Sequence, residues 1–436
     1  MGRVLAGLVG LIVVIALIFA GWYYRPWSPF SPAQVTALDN PDTYTETFQR
    51  MDEILPSTVI TASRPASLPE AMGDLPETYI FDGETRQLSD YMERAQVTGF
   101  AVLRDGALVS ESYFHAADSD TRHTSHSVAK SFVATLIAKA MQDGLIGSLD
   151  DTADQYAPQF EQTDFGDTSL RHLLMMSTGI DFNEEYSESG DSDIRPLFFN
   201  AFIMGRNVDT MVAAFERNRA PGEDLDYISP ASHVLAAVVR GVYGGRLADI
   251  VTEQIWEPLG MTSDASWLQN KAGDDGIAIG YCCLQATSRD YARFGEFYRL
   301  DGVWNGERLL PEGWVMQATR PNAPFQEPGS SPYPNRGYGL HFWIPENYDG
   351  EYFMAGVFGQ YVWVDERRGV VIAQNAGNAN WTALTLETFA VFRAVAEHVS
   401  PLQSRVEPTE IATETDDAAS SDAEASSDQE TDPDND

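Results

Sequence analysis

Ser127-Val128-Ala129-Lys130 is the stretch on which the reading of this chain turns. The sequence holds three lysines, Lys130, Lys139 and Lys271, and only Lys130 has a serine three residues ahead of it. Val128, Phe132, Val133, Leu136, Ile137, Ala140 and Met141 follow at helical spacing, and Gly144 closes the run. This pattern predicts a helix that starts at the pair. Residues i and i+3 share a helix face, ~5–6 Å apart at Cβ, so hydroxyl and amine can touch. A serine hydroxyl needs an adjacent base to become a nucleophile. A lysine can serve once burial lowers its pKa, because desolvation disfavours the charged form. The unpaired N–H groups of a helix start can also stabilise an oxyanion.

Outward from this stretch the chain changes character twice. Before it, GFAVLRDGALVSESYF (99–114) places two β-like runs around Asp105-Gly106, a hairpin signal. After it, from about Asp150 to Leu300, helical patterns dominate. One, from Asp167 to Met176, opens on capping residues, and another runs from Ala231 to Val242. Strand signals return from Tyr338 in YGLHFWI, EYFMAGV, QYVWVDE and GVVIAQ, rich in aromatic and β-branched residues. Thr382 to His398 reads as a closing amphipathic helix. Strands at both ends and helices between predict a mixed α+β fold. Its antiparallel sheet is drawn from the N- and C-terminal parts and flanked by helices, with an all-helical region inserted. A site is expected where the two lobes meet.

Acyl transfer also requires a proton shuttle and a second oxyanion donor. Tyr227, after the Pro221-Gly222 turn and before the Ala231 helix, is the candidate shuttle. A phenol beside an ammonium can be held partly ionised or can relay a proton. Ser229, two residues on, can reach Lys130 or a substrate amide. Gly356-Val357-Phe358-Gly359-Gln360 lies inside an apparent hairpin, where glycines allow close backbone approach. A backbone N–H near Gln360 is the expected partner of the Ser127 N–H.

Taken together, S-V-A-K, Y-I-S and G-V-F-G-Q resemble the three motifs of the serine β-lactamase and penicillin-binding-protein superfamily. The likeness runs over roughly residues 80–398 and is nearest to class C β-lactamases, 6-aminohexanoate-dimer hydrolases and β-lactamase-fold esterases. SLRHLLMMSTGID, PGEDLDYISPASHVLAAVV and ATSRDYARFGEFY support it. The resemblance implies a β-lactamase/transpeptidase-like fold, with Ser127 acylated, Lys130 as its base and Tyr227 as proton relay. The Ser127 and Gln360 amides would hold the oxyanion. Ser229, Val357, Phe358 and Gly359 would line the substrate, a small amide or ester. The family's third motif usually carries Lys-Thr-Gly, whose cation binds a carboxylate. Val357-Phe358-Gly359 stands there instead, and Ser229 replaces a frequent Asn. That difference favours a neutral or amine-bearing substrate over a penicillin. D-alanyl carboxypeptidase or β-lactamase activity, and a non-catalytic peptidoglycan-binding module, are the alternatives.

The net charge of −37 excludes a nucleic-acid partner, which needs basic surface. The stretch after Val406 contributes twelve acidic and no basic residues and is expected to be disordered. Val4 to Tyr24 is an uncharged run between Arg3 and Arg25, long enough for a ~30 Å hydrocarbon core. It is too long for a typical signal-peptide h-region and lacks an A-x-A site, which favours an uncleaved membrane anchor. The acidic body then lies outside the cytoplasm, in the periplasm of a bacterium. Residues 1–25 are thus read as anchor, 26–76 as stalk or wrap, 77–400 as hydrolase domain and 405–436 as acidic tail. Cys282 and Cys283 are adjacent and are expected as two free, buried thiols. The sequence has no C-x-x-C or H-E-x-x-H spacing, so no metal or other cofactor is called for. His123 and His126 read as packing or capping groups, and His341 as a structural residue in a strand.

Overall fold

The computed structural model describes residues 2–25, 31–38, 40–186, 191–330 and 332–402. The expected disordered tail falls outside them. The Asp-Gly signal forms a tight turn, with Asp105 at φ 49° and Gly106 at φ 80°. Two positive φ values match the twist of the strands they join. Those strands are β1 (Val97–Arg104) and β2 (Ala107–Tyr113). From the C-terminal half come β3 (Arg336–Tyr338), β4 (Trp343–Pro345), β5 (Glu351–Gly356), β6 (Gln360–Asp365) and β7 (Val370–Ala376). They form one seven-stranded sheet in the order β3-β4-β5-β6-β7-β1-β2. Its closure is β7 on β1, antiparallel, with Ile372 opposite Val102. The sheet therefore unites the two ends of the body, as the strand signals imply.

Helices cover both faces, which is why β5, β6 and β7 are apolar almost throughout. Along β6, Tyr361 and Trp363 point to one face and meet Phe389 and Phe392 of the closing helix, Thr385–Val399. Val362 and Val364 point to the other, towards the helix Ser288–Arg299. A Cβ on Gly295 there would lie 2.7 Å from Val362 Cγ1, so glycine sets how closely helix and sheet approach.

Helix α1 (Ala129–Gln142) follows the Ser127 stretch and packs against α2 (Ser229–Tyr243). Phe132 of α1 stacks on Phe294 at 3.7 Å between centroids. A second, four-stranded sheet joins Ser57–Ile60, Ala265–Leu268, Leu284–Thr287 and Arg122–Thr124.

The YGLHFWI run is not one strand. It breaks between Tyr338 and Trp343, and His341 sits in the bend at φ 64°. The bend is pinned because the His341 N–H donates to the Leu174 carbonyl at 3.1 Å, and its Nε2 meets Ser232 Oγ at 2.8 Å. His341 is structural, but as a tie between the bend and the helical region.

Residues 40–60 are not a free stalk. Short helices at Tyr44–Thr47 and Met51–Ile54 lead into Ser57–Ile60, and Thr124 N donates to Phe48 O at 2.9 Å. Ahead of this wrap, Gly2–Tyr24 forms a 23-residue helix, with mean hydropathy 2.9 over an 18-residue window, long and apolar enough to cross a membrane.

Candidate active site

Ser127 lies in a single 3-10 turn, His126–Val128, that runs directly into α1. His126, immediately before it, has φ 42° and bends the chain so that the hydroxyl faces the first turn of α1. Lys130 is 2% exposed. Its Nζ donates to Ser127 Oγ at 2.8 Å and to the Tyr281 carbonyl at 2.9 Å. Burial lowers its pKa to about 8, against the opposing pull of the Glu184 carboxylate. An appreciable fraction is a neutral amine near pH 8, in contact with the hydroxyl it would deprotonate.

Tyr227 enters from the loop before α2. Its ring lies 5.0 Å from Lys130 Nζ, stacks on Trp343 at 5.2 Å and meets Tyr338 edge-on at 5.9 Å. Burial pushes the phenol pKa well up, and Glu184 adds to this, while a hydrogen bond with Ser127 opposes it. The phenol is thus protonated at neutral pH. Of the two options open in the sequence, partial ionisation or proton relay, the environment favours relay.

Ser229 does not turn to Lys130. Its Oγ donates to Glu184 Oε1 at 2.7 Å, and its N–H donates to Glu184 Oε2. The carboxylate thereby caps the first turn of α2, where unpaired N–H groups attract negative charge. Glu184 carries no motif, and nothing in the sequence around Phe182-Asn183-Glu184 singles it out.

The third motif closes the site from the sheet. At the end of β5, Gly356 presses on the Ser127 turn: a Cβ there would collide with the Ser125 carbonyl and lie 3.0 Å from Ser127 N. Gln360 starts β6 opposite Gly356, and its side-chain Nε2 donates to the Ala376 carbonyl at 2.6 Å. The N–H that follows Gly356, that of Val357, has no partner among the described residues. Phe358 at φ 66° and Gly359 at φ 95° form the turn. The Phe358 ring packs on Tyr44 at 4.7 Å, Phe48 at 5.3 Å and His126 at 5.2 Å. The N-terminal wrap is part of the rim.

His123 and His126 are both buried, and burial pushes each imidazole down to about 3, so both are neutral. His123 Nδ1 pairs with Thr98 Oγ1 at 3.1 Å, and His126 packs among the rings just named. The packing reading of these histidines is the one the geometry favours.

The turn that presents the Tyr281 carbonyl is held from behind. His233 Nδ1 accepts from Gly280 N–H at 3.2 Å, while its Nε2 meets Asp209 Oδ1 at 2.8 Å. Arg240 donates to the same carboxylate oxygen at 2.7 Å. The expectation of free thiols fails here, because Cys282 and Cys283 are joined in a disulfide. Cys283 at φ 94° departs from the extended chain in which neighbouring side chains diverge. Among the described residues no group of three or more His, Cys, Asp or Glu is gathered as a metal site.

Comparison with known proteins places the chain in a family. The family described as Beta-lactamase matches residues 85–379. The 6-aminohexanoate-dimer hydrolase of Paenarthrobacter ureafaciens is 28% identical over 339 residues, 75% of this chain and 83% of that protein. A solved Bacillus anthracis structure, provisionally described as a 6-aminohexanoate-dimer hydrolase, superposes with TM-score 0.73 at 24% identity, covering 83% of this chain and 96% of its own. The octameric penicillin-binding protein homologue of Pyrococcus abyssi shares the fold at TM-score 0.53 and 18% identity, over 72% of this chain and 78% of its own. The chain belongs to the Beta-lactamase family and is a serine hydrolase of the β-lactamase fold.

Proposed function

We propose that this hydrolase cleaves a linear amide or ester through an acyl-enzyme on Ser127, with Lys130 as base and Tyr227 as proton donor to the leaving group. The observation that carries the reading is the 2.8 Å contact between Lys130 Nζ and Ser127 Oγ, with the amine held at a pKa of about 8. Neutral Lys130 takes the hydroxyl proton as Oγ bonds to the substrate carbonyl carbon. The carbonyl oxygen becomes an oxyanion between two backbone donors, Ser127 N–H and one from the third motif; we take Val357 N–H ahead of Gln360 N–H, because Gly356 sits against Ser127 N while Gln360 is paired with Gly356 in the ladder. Tyr227 passes its proton to the departing nitrogen or oxygen and recovers one from Lys130 as the C–N or C–O bond breaks. Water then attacks the acyl ester, releasing the acid and restoring the serine.

Phe358 and Gly359 form the wall of the acyl site, and Ser229 acts through Glu184 at the start of α2. The named relative acts on a 6-aminohexanoate dimer, a linear amide, and a substrate of that kind fits an aromatic-lined site of this type. The helix Gly2–Tyr24 would tether the body to a membrane, outside the cytoplasm. A fluorophosphonate ester tests the nucleophile. The unaltered chain is expected to be labelled on Ser127, and Ser127→Ala to lose all labelling. Equal labelling of both would overturn the assignment.

A further inference from the structure

The third motif lacks the cation that binds a carboxylate in related enzymes, yet a cation stands on the opposite wall. Arg336 opens β3, the edge strand of the main sheet. Strand alternation puts Arg336 and Tyr338 on the same face. Its guanidinium lies 4.5 Å from the centroid of Trp343 and 5.1 Å from that of Tyr333. Trp343 is the ring that stacks on Tyr227, so two aromatic rings separate the guanidinium from Lys130. The Arg336 charge reaches the phenol and opposes the rise in its pKa.

Many arginines of the body end on carboxylates, among them Arg219 on Asp224 and Asp226, Arg289 on Glu111 and Arg393 on Glu351, and others such as Arg104 and Arg293 end on backbone carbonyls. Arg336 has no carboxylate within ion-pair distance among the described residues, and its buried Nε has no hydrogen-bond partner among them. Among the described residues, the acids whose charge reaches the neighbouring Tyr333 are engaged elsewhere, Glu184 with Ser229 and Asp226 with Arg219. Stacking occupies the faces of a guanidinium and leaves its edge, a fork of N–H donors, free for a planar carboxylate.

We infer that Arg336 binds a carboxylate on the leaving group of the substrate, several bonds beyond the scissile amide. This rests on the proposed role of Tyr227, because the wall beside the proton donor is the side from which the leaving group departs. The substrate class is then an N-acyl amino acid with a spacer between nitrogen and carboxylate. The neutral or amine-bearing substrate expected from Val357-Phe358 alone is then extended by a negative charge met from β3 instead.

The test compares N-butanoyl-5-aminopentanoate with its uncharged N-methylamide, using the full chain and measuring the amine released. The carboxylate form is expected to have a kcat/KM at least about tenfold higher, the scale of one charge-assisted hydrogen bond. Arg336→Met should bring the ratio close to one, chiefly through KM, and Arg336→Lys should recover part of it. A ratio near one in the unaltered chain, or an unchanged ratio in Arg336→Met, overturns the inference. A second measurement needs no turnover: 5-aminopentanoate should slow fluorophosphonate labelling of Ser127 more than its N-methylamide does, and Arg336→Met should abolish the difference. Charge-dependent protection without hydrolysis of either probe would uphold the Arg336 site and overturn the amide-hydrolase reading. Equal protection by both compounds would overturn the Arg336 site.

Discussion

Two hairpins of the same sheet are built on opposite principles. The β1–β2 turn is two residues long and uses Asp105 and Gly106, types that adopt positive φ readily. It connects strands. The β5–β6 turn places Phe358 at φ 66°, a conformation that costs a bulky residue about 1–2 kcal/mol. Its ring is clasped by Tyr44, Phe48 and His126, and Gly356 at its base is pressed on Ser127 N. Strain held by surrounding packing is what sets a wall of an active site apart from a connection.

Adding one methyl group to each hairpin should break the symmetry most. Gly356→Ala drives a Cβ into the Ser125 carbonyl and shifts the nucleophile turn, so kcat/KM should fall by about 100-fold or more. Gly106→Ala, at φ 80° and 3.2 Å from Glu296 Oε1, should lower the melting temperature while activity persists. Steady-state kinetics beside thermal melts will separate the two. Loss of activity in both would mean that the connection also shapes the site.

A smaller effect should appear in the pH profile. Acylation by the proposed route needs neutral Lys130, and the neutral fraction grows as pH rises through about 8, so kcat/KM should climb with a midpoint there. Glu184 holds that midpoint up by favouring the ammonium. Glu184→Gln should therefore move it to lower pH, read from the rate of Ser127 labelling across pH 6 to 10. A midpoint that stays or rises would show that the carboxylate acts only as a helix cap. The smallest effect is expected at Asp105→Asn, where the new residue also accepts positive φ. Its stability change should stay within about 0.5 kcal/mol in urea titrations.

The legible parts of this chain share one property: their signals are local. Asp105-Gly106 declares its turn, and Ser127 with Lys130 declares a shared helix face. Glu184 and Arg336 reach the site through a loop and an edge strand, and their significance depends on what lies beside them after folding. Arg336 shows this most plainly, since its neighbour Trp343 is separated from it by the bend at 339–342. That bend also escaped the strand pattern of YGLHFWI, because the Leu174 carbonyl that pins it comes from far upstream. The spacing offers Ser229 either Lys130 or a substrate amide, and gives no sign of the Glu184 carboxylate on which its hydroxyl ends. The free-thiol expectation followed the spacing of an extended chain, and Cys283 at φ 94° is not extended.

The wrap that carries Phe48 has a practical outcome for anyone preparing this hydrolase without the apolar helix Gly2–Tyr24. Trimming to the family-matched stretch, 85–379, would remove Tyr44 and Phe48 from beneath Phe358 and an outer strand, Ser57–Ile60, from the small sheet. A shortened chain that begins near Ser31 keeps the collar around the reactive hydroxyl; one that begins at Thr85 leaves it open to water.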